Sequence, residues 1–141
     1  GAGVVRNGEK GRGLTSRWYP GTLRRRILDI VALKSRFSFT RGDGIEHLRS
    51  NAERRDAAFF VDPPYTVAGR RLYTHSAMDH SALFDTVARL RGPFLMTYDD
   101  APEIRGLACE RGFAIREVLM KNTHHAQKME LLISRDLRWL G

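Results

Sequence analysis

Cysteine is almost missing from this chain, and long apolar runs are missing altogether. Cys109 is the only cysteine among 141 residues, which excludes a disulfide within the chain and a cysteine-based zinc cluster. No apolar stretch approaches the roughly 20 residues that cross a bilayer, and no signal-peptide pattern is present. We therefore expect a single cytoplasmic domain with no membrane partner, long enough to bury a core.

Acidic residues are also scarce relative to basic ones. The chain has 16 Asp and Glu against 24 Lys and Arg, a net charge of +8 that favours a polyanionic partner. The first 26 residues contain seven basic residues and only Glu9 as an acid, which gives +6. Trp18 and Tyr19 interrupt this glycine-rich basic stretch, a mixture that suits phosphate contacts and base stacking. The alternative is a solvated loop whose two aromatic rings cover the following helix.

The rest of the sequence is arranged around residues 57–65. A short apolar run with aromatic and β-branched residues predicts a buried strand that ends at Asp62. Pro63 and Pro64 cannot continue a ladder, so a stiff corner forms at the carboxyl end of the strand, where open α/β sheets bind ligands. Asp62 and the Pro63 carbonyl could accept hydrogen bonds from a planar amine on which Tyr65 stacks. The alternative is a proline turn in which Asp62 caps a neighbouring group.

The hydrophobic periodicity predicts an α/β fold with a mostly parallel sheet ending in an antiparallel hairpin. The loop 121–127, which connects the last two predicted strands, is so short that these strands can pair only in antiparallel orientation. The predicted strands are 37–40, 57–62, 93–98, 113–120 and 129–134. The predicted helices run from Thr22 as N-cap to Lys34, from about Ile45 to Arg54, from Asp79 or Ser81 to Leu90, and from Pro102 to Gly112.

Two further polar positions have competing interpretations. Asp43 can cap the helix that follows it, and an acid just past a strand end can also bind a hydroxyl or amine of a cofactor. His124 and His125 would point to opposite faces of an extended loop, and no carboxylate or cysteine lies at ligand spacing. We therefore predict no metal site and expect this loop to contact DNA or solvent.

Four segments resemble, in the same order, the adenine-specific DNA methyltransferases of the Dam type. The Asp-Pro-Pro-Tyr corner at 62–65 is similar to their catalytic motif, and the segment 39–43 is similar to their strand ending in an acid near the cofactor's adenine. The segments 94–98 and 128–133 resemble the strand after the catalytic loop and the closing strand. The resemblance covers residues 37–134.

This resemblance implies an enzyme that transfers a methyl group from S-adenosylmethionine to the exocyclic amine of an adenine flipped out of double-stranded DNA. It assigns residues 1–26 to part of the target-recognition segment and 27–141 to the catalytic half of the domain. Asp62, Pro63, Pro64 and Tyr65 would be catalytic, with Asp43 and Asp62 beside the cofactor. The expected DNA contacts are Arg17, Trp18, Tyr19, Arg24, Arg70, Arg71, Tyr73, His75, Asn122 and His124.

The sequence departs from this family ahead of Phe37. The F-x-G-x-G turn that holds S-adenosylmethionine and the acid that binds its ribose are not found there. We therefore expect the carboxyl-terminal part of such an enzyme, with weak cofactor binding, no methyl transfer at a useful rate by this chain alone and a sheet edge open to self-association. Two alternatives stay open: a methyltransferase acting on an RNA base amine, and a non-catalytic DNA-binding module.

Overall fold

The computed structural model describes residues 18–64, 78–121 and 127–141. The chain divides into two compact units, residues 1–41 and 42–141. None of the helices within the described ranges is long and apolar enough to cross a membrane.

In residues 18–41, the described part of the first unit, one regular helix, α1, Pro20–Ala32, is followed by a 3₁₀ turn at Lys34–Arg36. The helix begins at Pro20, so the prediction that Thr22 is its N-cap is wrong. Proline is favoured in the first turn, because an N–H at this position would have no intrahelical partner and because the φ of proline is already helical. The first intrahelical bond runs from the Leu23 N–H to the Tyr19 carbonyl at 2.9 Å.

The apolar face of α1 is exposed. Ile27, Ile30 and Val31 are each more than half exposed, and the helix has no buried residue among those the structure describes. Its amphipathic pattern was predicted correctly from the helical spacing, but that pattern does not say what covers the face.

Residues 37–40 were predicted to be a strand, and this is wrong. Phe37 has extended backbone angles, φ −113° and ψ 138°, but the stretch forms no ladder in the described chain. Phe37 and Phe39 are exposed. Alternation of apolar and polar residues gives a strand only where a neighbouring strand supplies the hydrogen bonds.

The described residues of the second unit build a four-stranded sheet with helices between its strands. The order of strands across the sheet is β1–β2–β4–β3. Its elements are α2 Gly44–Ser50, β1 Phe59–Val61, α3 His80–Ala88, β2 Phe94–Asp99, α4 Pro102–Glu110, β3 Ala114–Lys121 and β4 Gln127–Ser134, then a 3₁₀ turn Arg138–Leu140.

The sheet is mixed, so the α/β class is confirmed but the mostly parallel sheet is not. Only β1 and β2 pair in parallel, while β2–β4 and β4–β3 are antiparallel. Because residues 37–40 are not a strand, only one strand–helix–strand crossover joins adjacent strands. The closing hairpin then inserts β4 between β2 and β3, which makes both of its pairings antiparallel.

The hydrophobic core lies on one face of this sheet. β2 contributes Met96 and Tyr98, β4 contributes Leu131 and Ile133, and α3 and α4 cover them, among others through Phe84. These five side chains have no solvent exposure. The helices therefore fix the sheet firmly at β2 and β4, its two central strands.

The strand β1 is shorter and less buried than predicted. Only residues 59–61 form the ladder, Phe59 and Val61 are half-buried, and Phe60 is 69 % exposed. The prediction of a buried strand is therefore wrong. The reason is position: β1 is the edge strand of this sheet, and its Phe60 side chain lies on the face opposite the core.

Two of the predicted helix caps are confirmed. The Asp43 carboxylate accepts hydrogen bonds from the Ile45 and Glu46 N–H groups at 2.8 and 3.1 Å. The Asp79 carboxylate accepts one from Ala82 at 2.9 Å. The helix α2 ends at Ser50, four residues earlier than predicted.

Candidate active site

Asp62 directly follows the last residue of β1 and is exposed, while Pro63 is buried and Pro64 half-buried. The buried proline ring anchors the corner, because it fixes φ and packs against the protein. The predicted arrangement of strand, carboxylate and proline corner is therefore present in the structure.

Thr97 on β2 donates a hydrogen bond from its Oγ1 to Asp62 Oδ1 at 2.6 Å. Val61 pairs with Met96 in the parallel ladder, so Asp62 and Thr97 occupy the next position in the same register. A short O–H···O contact of this length is typical of an acceptor that carries charge. Asp62 therefore forms a side-chain hydrogen bond across the carboxyl ends of two neighbouring strands.

A cavity of about 330 Å³ adjoins this corner, near the lower limit for ligand sites. Asp62, Pro63 and Pro64 form one side of it, and Gly44 and His47 of α2 form part of the other. Its remaining wall is mostly apolar, from side chains such as Leu48 and Leu83. An apolar pocket with one carboxylate at its rim suits a flat ring that carries a hydrogen-bond donor.

Asp43 is engaged as the N-cap of α2, and its Oδ1 accepts both capping bonds. The capping interpretation of this residue is confirmed, while its predicted contact with a cofactor stays a prediction. The neighbouring Gly44 lines the same cavity as Asp62. Asp43 thus has a structural role whether or not a ligand binds in this cavity.

A larger cavity of about 580 Å³ lies at the other end of the strands, where Pro93 precedes β2 and Asp136 follows β4. Its charged residues already have partners. Arg135 donates to the carbonyls of Ala88 and Leu90, and Asp136 accepts from Arg138. We favour the smaller cavity as the site because it lies at the carboxyl ends of the parallel strands and has a carboxylate at its rim.

Two acidic residues also lie at the carboxyl end of β2, Asp99 as its last residue and Asp100 directly after it. Asp99 is buried, and Asp100 accepts two hydrogen bonds from the Arg105 guanidinium, at 2.6 and 2.9 Å. These hydrogen bonds hold the pKa of Asp100 below its usual range. Asp100 is therefore held as an ionised partner of α4.

Three of the predicted DNA-contact residues lie in the described part of the chain, and all are exposed. Trp18 and Tyr19 precede α1, and Arg24 lies on it. The others lie outside the described residues, together with Tyr65 of the corner: Arg17, Arg70, Arg71, Tyr73, His75, Asn122 and His124.

Within residues 18–64, 78–121 and 127–141, no three His, Cys, Asp or Glu side chains are grouped as metal ligands would be. The two adjacent histidines, 124 and 125, are outside those ranges.

Sequence reasoning missed the contribution of Thr97 and His47. Thr97 lies in a strand that was predicted correctly, one residue past the position that pairs with Val61. Aligning the carboxyl ends of two parallel strands could have indicated that Thr97 neighbours Asp62. His47 gave no such signal, since it is one polar residue on a short helix.

A scan of the sequence against models of protein families gave no match. A search among curated proteins likewise found no significantly similar sequence.

Proposed function

We propose that this chain is the catalytic part of an S-adenosylmethionine-dependent enzyme that methylates the exocyclic amine of adenine in DNA. The observation that carries this proposal is the Asp62 carboxylate at the carboxyl end of β1, bonded to Thr97 and bordering a mostly apolar cavity. The motif residues 62–65 and the segments 94–98 and 128–133, which resemble strands of the Dam-type enzymes and lie in β2 and β4, support it.

The chemistry of the corner fits an aromatic amine. The lone pair of such an amine is delocalised into the ring, which makes the nitrogen a weak nucleophile. Acceptors on both of its hydrogens, here Asp62 and the Pro63 carbonyl, favour a pyramidal nitrogen with a more available lone pair. A hydrogen bond to a carboxylate contributes about 1.5–3 kcal/mol, and holding the amine in line supplies much of the rate.

S-adenosylmethionine would supply an electrophilic methyl group. Glycines flank Asp43 in this chain, but the F-x-G-x-G turn of the similar enzymes is not found in the sequence. The described residues thus fit the amine better than the methyl donor. The role that we assign to them is to bind and orient the base.

This role can be tested without the donor, by titrating the isotopically labelled chain with deoxyadenosine and following amide NMR signals. We expect shifts at Gly44, Val61 and Asp62, and at least tenfold weaker binding of deoxynebularine, which lacks the amine. Asp62→Asn should remove this preference, because an amide accepts more weakly than a carboxylate. Equal binding of the two nucleosides, or shifts confined to other residues, would contradict the proposed function.

The alternatives give different results in a second assay. Duplex DNA and structured RNA would be compared as acceptors of a labelled methyl group, at high protein concentration and with mass spectrometry of the digested nucleosides. Label on N6 of deoxyadenosine supports the proposal, and label found only in RNA supports an RNA enzyme. A chain that binds duplex DNA but has no preference for deoxyadenosine over deoxynebularine is a non-catalytic DNA-binding module.

A further inference from the structure

Thr97 contacts only one of the two oxygens of Asp62. The hydroxyl donates to Oδ1 at 2.6 Å, and no other hydrogen bond to this carboxylate is found within the described ranges. Oδ2 therefore keeps both of its acceptor positions for a ligand in the adjoining cavity, whereas one on Oδ1 is already used. The hydrogen bond from Thr97 thus holds Oδ1, and Oδ2 remains directed to ligand binding in the role that we argue below.

The hydroxyl of Thr97 is itself held in place. Threonine is branched at Cβ, so its χ1 is restricted, and β2 is a central strand. Thr97 pairs with Leu132 on β4, and Val61 pairs with its neighbour Met96. The donor thus projects from a rigid strand that is paired on both sides.

Asp62 has no comparable constraint of its own. Pro63 restricts the backbone of the preceding residue but leaves the χ1 and χ2 of Asp62 free. Asp62 is exposed, and it follows an edge strand of three residues. Without the bond from Thr97, the carboxylate would rotate among several rotamers.

We propose that Thr97 is a positioning residue that fixes the Asp62 carboxylate with Oδ2 available to the amine of the bound base. The identity of that base rests on the function proposed above, but the orientation of Asp62 does not. The catalytic contact belongs to Asp62, and Thr97 acts through it.

The orientation is tested on the free chain through the three-bond couplings between Hα and the two Hβ protons of Asp62. We expect couplings of a single rotamer in the wild type and in Thr97→Ser, and averaged couplings in Thr97→Val. Thr86→Val is the control, because it removes a hydroxyl that bonds the Ala82 carbonyl at 2.7 Å and should leave Asp62 unchanged. Averaged couplings in the wild type, or a single rotamer in Thr97→Val, would overturn the role of Thr97.

The consequence for binding is tested with the same two nucleosides. Thr97→Val should weaken deoxyadenosine binding about tenfold and leave deoxynebularine unchanged, while Thr97→Ser retains most of the affinity. If Asp62→Asn removes the preference for the amine and Thr97→Val does not, the positioning role is wrong and the proposed function stands. If Thr97→Val averages the Asp62 couplings but the wild type has no such preference, the positioning role stands and the proposed function is wrong.

Discussion

The Cα of Gly92 lies so close to the backbone of Ala57 that a Cβ at this position would be 2.1 Å from the Ala57 carbonyl oxygen. The Arg54 carbonyl oxygen would be 2.9 Å away. Both obstacles are backbone atoms, which cannot move aside as a side chain can. Gly92 therefore allows the segment before β2 to approach the segment before β1, and it is buried there.

We predict that Gly92→Ala destabilises the chain by about 2 kcal/mol, in the range found for overpacked cores. Gly106→Ala is the matched control, because a Cβ there meets open space on α4. That replacement should raise the free energy of unfolding by about 0.5–1 kcal/mol through the better helix propensity of alanine. Urea unfolding followed by circular dichroism measures both. Equal effects of the two variants would contradict the close approach.

A second prediction concerns alkaline pH. Tyr98 is fully buried, and its hydroxyl lies 2.9 Å from His80 Nδ1. Burial, together with the negative charges of Asp99 and Glu103, raises the pKa of Tyr98 well above its ordinary value. Because the folded state holds this proton more tightly than the unfolded state, its contribution to stability is complete below about pH 10 and is lost above it.

We therefore expect the free energy of unfolding to fall above about pH 10 by up to about 1.4 kcal/mol per pH unit from this group. Tyr98→Phe should reduce that slope, although it also loses the hydrogen bond to His80. Denaturant unfolding between pH 8 and pH 12 measures the slopes of both proteins. A slope that is the same in Tyr98→Phe would show that other groups cause the loss.

A third prediction separates the two roles of Asp43. Asp43→Ala and Asp79→Ala should each cost about 1 kcal/mol, since each removes a helix cap. Asp43→Asn should keep the cap and lose the charge. If Asp43 also binds the cofactor, Asp43→Asn weakens S-adenosylmethionine binding about tenfold at unchanged stability, and Asp79→Asn does not. NMR titration can measure the weak binding of S-adenosylmethionine that is expected here.

Several helix starts of this chain were predictable from sequence, whereas the absence of a strand at 37–40 and the exposure of β1 were not. Asp43, Asp79 and Pro102 indicate helix starts through contacts within a few residues, and all three lie at such starts in the structure. Gly112, predicted to end α4, has a φ of +66°. A left-handed residue of this kind commonly follows the end of a helix.

Residues 37–40 and β1 illustrate the features that the sequence did not predict. Whether an alternating stretch is a strand, and whether it is buried, depends on its neighbours in the sheet. The hydrogen bond from Thr97 to Asp62 depends in the same way on the register between β1 and β2. Such information is distributed over distant segments, so a single sequence does not supply it directly.

A fourth prediction concerns the β1 edge of the sheet, where no further strand pairs in the part of the chain that the structure describes. The N–H of Phe59 bonds to Pro93, so by the alternation of a parallel ladder the N–H and carbonyl of Phe60 face away from β2. The opposite edge, β3, carries Arg116 and Glu117, and exposed charges discourage edge pairing. We therefore predict self-association through β1.

Phe60→Lys should raise the dissociation constant of the dimer at least tenfold, because it places a charge on this edge. Leu119→Lys is the control, since Leu119 is an exposed apolar residue of β3. Sedimentation equilibrium over a range of protein concentrations gives both constants. Monomeric wild-type protein, or a larger effect of Leu119→Lys, would exclude the β1 edge as the contact.

The last prediction concerns DNA. Arg24, Arg25 and Arg26 are exposed on successive positions of α1, about 100° apart around the helix, so they cannot all face one phosphate backbone. We predict that the wild-type chain binds duplex DNA with an affinity that falls steeply with salt. Replacing all three with alanine should reduce the slope of log affinity against log salt by roughly 0.9 for each phosphate that the variant no longer neutralises. If one or two of the arginines bind phosphates, the expected reduction is about 1–2. Arg116→Ala is the control, because Arg116 is exposed on β3 and donates to the Gly141 carbonyl.

Fluorescence anisotropy with a labelled duplex between 50 and 300 mM salt gives the slope of each protein. An unchanged slope in the triple variant would mean that these arginines do not bind DNA.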